Sequence, residues 1–156
     1  MLKSTEYLVE EGADKGKLFV ITRMSAFAAD EWARDIVRGL AAAGNKLLTS
    51  SIDLGVGSLA NVSFALFGAM HKEDVDRALL LLRECCQIRR DARNPLVEPT
   101  KILEVDIEDP QTIKNLYVKA FELHVDFLKA AAELISPIVA AMAAEDNKGK
   151  ESPAAT

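Results

Sequence analysis

Residues 16–33 constrain the fold of this chain more than any other segment, because a strand pattern passes into a helix pattern across one short turn. Apolar side chains on both faces of 18–23 predict a strand with contacts on two sides. Ser25 then suits a helix N-cap. The apolar residues that follow at helical spacing are Ala29, Trp32, Ile36 and Leu40. The segment therefore predicts a strand that leads into a helix carrying the only tryptophan of the chain.

The first half of the chain also predicts a hairpin and a second helix. A strand pattern over 5–10 precedes the strand predicted at 18–23, and residues 11–16 are predicted to form the hairpin loop between the two strands. The helix that starts near Ala26 is predicted to stop at Gly44, since glycine favours helix C-termini. Residues 59–70 predict a helix that is apolar on most sides, as in helices buried in their own fold or against a partner.

The second half begins with a predicted third helix and a second hairpin. Acidic residues at 73–76 fit the positive end of a helix dipole, and an apolar stripe continues to Cys86. Residues 87–90 and 101–107 predict the hairpin, because apolar and acidic residues alternate in its second strand.

The last helix has the clearest start in the sequence. Asp109 and Pro110 are a typical N-cap and first helical residue. The helix is predicted to continue to a break at Ser136 and Pro137. Residues 143–156 are small and polar, which predicts a disordered tail.

Together these patterns predict an α+β fold that is predominantly α-helical, with four to five helices and one or two small antiparallel β-hairpins. The chain of 156 residues is long enough to bury a core without disulfides or metals. We therefore expect a single compact helical domain over 1–142 that carries the N-terminal hairpin, followed by the tail.

Composition limits the classes of partner. The net charge of -5 argues against a nucleic-acid binder, which needs clustered lysine and arginine facing phosphates. The one basic cluster, Arg89, Arg90 and Arg93, includes an acid and follows a helix end, so we interpret it as a solvated helix terminus. Residues 54–70 are uncharged but short and polar for a membrane span. The sequence thus predicts no nucleic-acid partner and no membrane partner.

Residues that carry catalysis in other proteins are few and scattered here. The adjacent Cys85 and Cys86 would point in different directions on a helix, which favours buried free thiols in a reducing cytoplasm. His71 and His124 lie in separate segments, and His124 is predicted to be packed and hydrogen-bonded rather than catalytic. No catalytic residue, cofactor site or metal site is predicted, and we expect that the protein is not an enzyme.

Three acidic residues would share one face of the last strand of the second hairpin: Glu104, Asp106 and Glu108. Their carboxylates are ligands that a hard cation accepts, but the segment lacks the glycine turn of a dedicated loop. We therefore interpret them as a solvated acidic face.

Four motifs occur in a consistent order along residues 5–130. The main one reads Gly16-Lys17-x-Phe19-x-Ile21-Thr22-x-Met24-x-Ala26-x-x-Ala29-x-x-Trp32-Ala33, and the others lie at 95–98, 107–112 and 121–127. In this order they resemble the bacteriophage tail assembly chaperones of long-tailed phages and prophages. Ser25 departs from the family, which often has proline there, but both residues start helices.

The resemblance implies a small, mostly α-helical protein of the bacterial host cytoplasm that is absent from the mature virion. Such chaperones bind the phage tape measure protein, shield its apolar stretches and help to bring tail tube protein to it. In many of these systems a ribosomal frameshift yields a longer form that recruits tube protein, and codons for Gly149 and Lys150 allow such a slip.

The candidate protein-binding residues are Trp32, Leu59, Phe64 and Phe67. They would shield a partner or support a homo-oligomer, and the alternative for each is a place in the intramolecular core. The main alternative function is a structural tail-completion or adaptor protein that is retained in the virion. An enzyme would need a cluster of side chains that converges on His71 or His124.

Overall fold

The computed structural model describes residues 2–42, 67–68 and 70–135. Its fold is α+β and dominated by helices, as the sequence predicts. The elements in chain order are β1 (Ser4–Leu8), β2 (Leu18–Thr22), α1 (Ala26–Ala42), α2 (Lys72–Glu84), β3 (Cys86–Arg89), β4 (Thr100–Lys101), a 3₁₀ turn (Glu104–Asp106), α3 (Pro110–Leu123) and α4 (125–135). The predicted tail 143–156 and most of the predicted helix 59–70 lie outside the described residues.

The strands form one antiparallel sheet in the order β1-β2-β3-β4. Ser4 pairs with Thr22 and Leu8 pairs with Leu18, which confirms the predicted first hairpin. β3 pairs with the other edge of β2, and β4 pairs with β3. The two hairpins that the sequence predicts separately are therefore joined through β2 into a single sheet.

One face of this sheet forms the floor of the hydrophobic core. Cross-strand partners share a face, so the register places Tyr7, Phe19 and Ile88 side by side and Ile21 beside Cys86. Phe19 and Ile21 are fully buried. Tyr7 stacks on Phe19 with ring centroids 6.2 Å apart. The buried faces of the helices complete the core above these side chains.

α1 buries one continuous stripe against the core, as its periodicity predicts. The buried members of the stripe are Ala29, Trp32, Ala33, Ile36, Val37 and Leu40. The predicted N-cap is confirmed, since Ala28 N–H donates to Ser25 Oγ at 3.4 Å. Gly39 permits close approach, because a Cβ there would lie 2.8 Å from Met70 Cε. The predicted end of this helix at Gly44 lies outside the described residues.

The passage from α2 to β3 corrects one prediction. α2 starts at Lys72, and the acidic residue Glu73 lies in its first turn, as predicted. Cys86, predicted to end the apolar stripe of the helix, starts β3 instead. The reason is that Thr22 N–H donates to Cys85 O at 2.9 Å, which directs the chain out of the helix and alongside β2. Both thiols are free and buried, as predicted.

The predicted strand over 101–107 is wrong beyond its first residue. β4 ends at Lys101, and Glu104–Asp106 form a 3₁₀ turn. Asp106 is buried whereas Val105 is 78% exposed, the reverse of the predicted faces. The cause is Arg90, whose guanidinium donates to both carboxylate oxygens of Asp106 at 2.7 and 2.9 Å. The interpretation of a solvated acidic face is therefore wrong at Asp106.

The basic cluster lies at the end of β3 rather than at a helix terminus. Arg89 Nη1 lies 2.7 Å from Glu6 Oε1, so this ion pair spans β2 from β3 to β1. Arg89 Nε also donates to Val97 O at 3.1 Å. The interpretation of a solvated terminus is thus wrong for Arg89 and Arg90, which hold neighbouring segments to the sheet.

The last helix starts as predicted but is not continuous. Asp109 caps α3, since its carboxylate accepts Gln111 N–H at 2.9 Å, and Pro110 is the first helical residue. The α-helical pattern is interrupted at His124, whose N–H donates to Phe121 O at 2.9 Å. This bond tightens the last turn of α3, and α4 resumes at residue 125.

A buried carboxylate ties the loop of the first hairpin to the start of α3. Asp14 is fully buried, and its oxygens accept Glu108 N–H and Asp109 N–H, each at 3.0 Å. Lys17 Nζ donates to the same carboxylate at 3.0 Å. Gly12 brings the loop close to α3, because a Cβ at its φ of +88° would overlap the Asp109 carboxylate. Loop and helix are therefore fixed to each other by charge-assisted hydrogen bonds.

Replacing Asp14 by asparagine should lower the free energy of unfolding by about 2–3 kcal/mol, because a buried N–H loses its charged acceptor.

Burial raises the pKa of Asp14, but hydrogen bonds from Glu108, Asp109, Thr112 and Lys17 outweigh it and lower the pKa from 3.8 to about 2. As the pH falls, the unfolded state therefore binds a proton at a higher pH than the folded state does. The contribution to stability is complete above pH 3.8 and is lost as the pH falls to about 2.

Urea denaturation of the wild type and of Asp14→Asn between pH 7 and pH 2 measures both effects. The control is Asp126→Asn at an exposed position, which should change the free energy of unfolding by less than about 0.5 kcal/mol. An Asp14→Asn protein as stable as the wild type at pH 7 would contradict the role given to this carboxylate.

Candidate functional site

A groove that encloses about 310 Å³ lies between α1 and α2. Its lining residues are Trp32, Asp35, Ile36, Arg38, Gly39, Ala42, Asp74, Arg77, Ala78 and Leu81. The floor is apolar and buried, at Trp32, Ile36 and Ala78. The rim is charged, and Asp35 Oδ2 lies 3.9 Å from Nη2 of Arg77 on the facing helix. An apolar floor with a charged rim suits an amphipathic helix of a partner.

Trp32 connects this groove to the core. Its indole N–H donates to Ala78 O at 3.2 Å and so joins α1 to α2. Its ring meets Phe121 edge-on with centroids 6.1 Å apart, and the His124 ring lies 5.3 Å away. Only 2% of the residue is exposed. Most of Trp32 is therefore internal packing, and only an edge of it contributes to the groove.

The four predicted protein-binding residues fall into two groups. Trp32 and Phe67 are described, and the structure brings them together around Phe121, which Phe67 meets edge-on at 6.0 Å. Phe67 is 4% exposed, so both residues belong to the core of the chain. Leu59 and Phe64 lie outside the described residues. A role for any of the four in binding a partner stays a prediction.

Phe27 is an exposed aromatic residue that the sequence analysis missed. It lies in the first turn of α1 and is 91% exposed. Helical spacing places it on the side of α1 that carries Glu31, Arg34 and Arg38, away from the buried stripe. The helical periodicity that predicts the buried stripe of α1 therefore also predicts that Phe27 lies outside this stripe.

The two cysteines are held in their neutral form. Burial raises the pKa of Cys85 to about 11, with the charge of Glu84 adding to the effect. Burial likewise raises the pKa of Cys86 to about 12, with a further contribution from Cys85. Because the thiolate is the nucleophile, both side chains are weak nucleophiles at neutral pH.

Two further properties concern only the described parts of the chain. Within 2–42, 67–68 and 70–135, no group of three or more His, Cys, Asp or Glu side chains is arranged to hold a metal ion. Over the same ranges, every helix is too short or too polar to cross a membrane.

His124 closes the core where α3 meets α4, and it is fully buried. Its Nε2 accepts Met24 N–H at 3.0 Å, so Nδ1 carries the proton and donates to Ala120 O at 2.7 Å. The predicted packed, hydrogen-bonded histidine is thus confirmed. Burial lowers the pKa of His124; the bond to Ala120 opposes this, and the charge of Arg23 lowers the pKa further.

Lowering the pH from 7 to 5 should destabilise the protein through His124. The unfolded state binds a proton near pH 6.5, whereas burial disfavours the charged form of the folded imidazole and lowers its pKa. This contribution to the free energy of unfolding is complete above pH 6.5 and declines below it. Urea denaturation at a series of pH values measures the slope.

His124→Gln should remove this part of the slope. His71→Gln is the matched control, since it changes the only other histidine, which is exposed at the start of α2. A slope that is unchanged in His124→Gln, or lost in His71→Gln, would show that another group causes it.

This part of the chain thus combines a groove between α1 and α2 with an exposed aromatic side chain, Phe27, on the outer side of α1. No protein-family model matches the chain, and comparison with curated proteins and with solved structures gives no match either.

Proposed function

We propose that the protein is a phage tail assembly chaperone that binds the tape measure protein in the groove between α1 and α2. The motifs of the sequence support this through their resemblance to that family. The observation that carries the proposal is the apolar floor of Trp32, Ile36 and Ala78 beneath a charged rim. A client helix laid there would bury the apolar side chains through which it otherwise aggregates.

The rim of the groove is balanced in charge, with Asp35 and Asp74 set against Arg38 and Arg77. Such a rim favours neither a basic nor an acidic client, so the affinity would come from the apolar lining, of which Ala42 and Leu81 are the accessible members. A long helical client fits this arrangement, because its apolar stripe recurs along its length while its surface charges change.

The proposal includes tail tube protein as a second partner, brought to the tape measure protein by this chain or by a longer form of it. It assigns the protein to the host cytoplasm and to the assembly stage, outside the mature virion. A net charge of -5 supports such a role, since a chaperone has to stay soluble while its client is exposed.

Co-expression with the tape measure protein of the same gene cluster tests the proposal. We expect a soluble complex that a pull-down recovers, and an insoluble tape measure protein when it is expressed alone. Absence of both binding and rescue would contradict the proposal. Mass spectrometry of purified particles addresses the alternative of a structural adaptor, which would be retained in the virion whereas a chaperone is absent or scarce.

A pair of adjacent leucines in α2 tests the groove itself. Leu81 lines the groove, whereas Leu80 does not and is 43% exposed. Leu81→Ser should weaken binding of a labelled tape measure segment about tenfold, because it removes an apolar contact from the site. Leu80→Ser should stay within about twofold of the wild type.

Fluorescence anisotropy measures both affinities, and circular dichroism checks that both variants are folded. Equal affinities for the two variants would place the client on another surface.

A further inference from the structure

The outer edge of β1 can be located from two backbone hydrogen bonds at the ends of the first hairpin. Arg23 N–H donates to Lys3 O at 2.8 Å, and Val9 N–H donates to Lys17 O at 3.0 Å. In an antiparallel ladder, every second residue directs its N–H and C=O toward the partner strand. The odd-numbered residues therefore bond to β2. The residues whose N–H and C=O point away from β2 are Ser4, Glu6 and Leu8.

This edge is open within the described part of the chain. Over 2–42, 67–68 and 70–135, β1 is the edge strand of the sheet, and no turn or loop bond involves the backbone groups of these three residues. The outward N–H and C=O groups of Ser4, Glu6 and Leu8 are enough for three residues of an added strand to pair with them. An edge of this kind is a template for another strand unless charge, a bulge or a covering element blocks it.

A groove that encloses about 310 Å³ runs beside the edge, with α3 as its second wall. Its lining residues are Lys3, Ser4, Thr5, Lys119, Glu122 and Leu123. Tyr7 holds the two walls together. Its hydroxyl accepts from Asn115 Nδ2 at 2.9 Å, and Lys119 Nζ lies 5.2 Å from its ring centroid. The groove is therefore formed before any partner binds, which lowers the entropic cost of binding.

We propose that this groove binds an extended acidic segment of a partner protein, which adds a strand to the sheet along β1. Main-chain hydrogen bonds to the open edge would provide affinity, and the helix wall would select side chains. Lys3 and Lys119 outnumber Glu122 in the lining, although the chain as a whole has a net charge of -5. The local excess of positive charge favours carboxylates on the added strand. The inference is independent of the function proposed above.

A second copy of the chain fits this edge less well. Antiparallel pairing of two β1 strands over Ser4–Leu8 would be centred on Glu6. The two glutamates would then lie directly opposite each other, which destabilises a strand pair. A foreign segment with its own side chains avoids this repulsion.

The probe is a labelled synthetic peptide that alternates valine and aspartate, added to the full-length protein. Fluorescence anisotropy should show binding, and hydrogen exchange followed by NMR should show slower exchange at Ser4, Glu6 and Leu8. Two control peptides should each bind with an affinity lower by about tenfold or by a larger factor. One has lysine in place of aspartate, and the other has N-methylated amides along one edge. Absence of binding, or equal binding of the three peptides, would overturn the proposal.

Glu6 offers a matched pair of variants. Glu6→Pro removes an outward N–H without removing a bond to β2, and edge strands tolerate proline at such positions. Glu6→Ala removes the same ion pair with Arg89 but keeps the N–H. We expect the proline variant to bind the aspartate peptide about fivefold more weakly than the alanine variant. Equal affinities would overturn the proposal.

Exchange in the free protein gives an independent test. If Ser4, Glu6 and Leu8 exchange as slowly as Thr5 and Tyr7 without peptide, the edge is already paired and the proposal fails. Slow exchange that disappears on dilution would show that a second copy occupies the edge, which also overturns it. Fast exchange that becomes slow only with the aspartate peptide supports the proposal.

Discussion

The buried carboxylate of Asp14 joins the first hairpin to the start of α3. It lies in the loop of the first hairpin and accepts N–H groups of Glu108 and Asp109, 94 and 95 residues further along the chain. An ionised carboxylate that is covered from solvent is stable because its donors replace the water that it has lost. Together with the hydrogen bond between Asn115 and Tyr7, this loop residue fixes the start of α3 against the sheet, and therefore the wall of the groove beside β1.

The charges next to Asp14 extend the same constraint to β3. Lys17 Nζ donates to Asp106 O at 2.7 Å, and the guanidinium of Arg90 holds the pKa of Asp106 below its usual value. The 3₁₀ turn is thereby fixed with its acid inward. Leu103 and Val105 face solvent as a result, at 52% and 78% exposed. Here ion pairing rather than hydrophobic burial decides which side chains point inward.

This contrast explains which features the sequence predicts. The stripe of α1 and the cap at Asp109 depend on residues within one or two helical turns, so periodicity and capping rules locate them. The 3₁₀ turn depends on Arg90, 16 residues before Asp106 in the chain, and the alternation over 103–108 suggests a strand that does not form. The place of the His124 side chain likewise involves a distant partner, the N–H of Met24. The groove depends on how α1 and α2 pack, which periodicity does not specify.

The burial of Trp32 limits how a partner can use the α1–α2 groove. The indole bonds to Ala78 and packs on Phe121 and His124, so it fixes the two helices whose separation forms the groove. Removing it would reduce stability together with any binding in the groove, whereas Leu81 is only partly buried against the core and can be replaced at a smaller cost in stability. The groove beside β1 is lined by β1 and α3 and shares no residue with the first. The two proposed partners, a helical client and an extended segment, would therefore contact separate sets of residues around one common core.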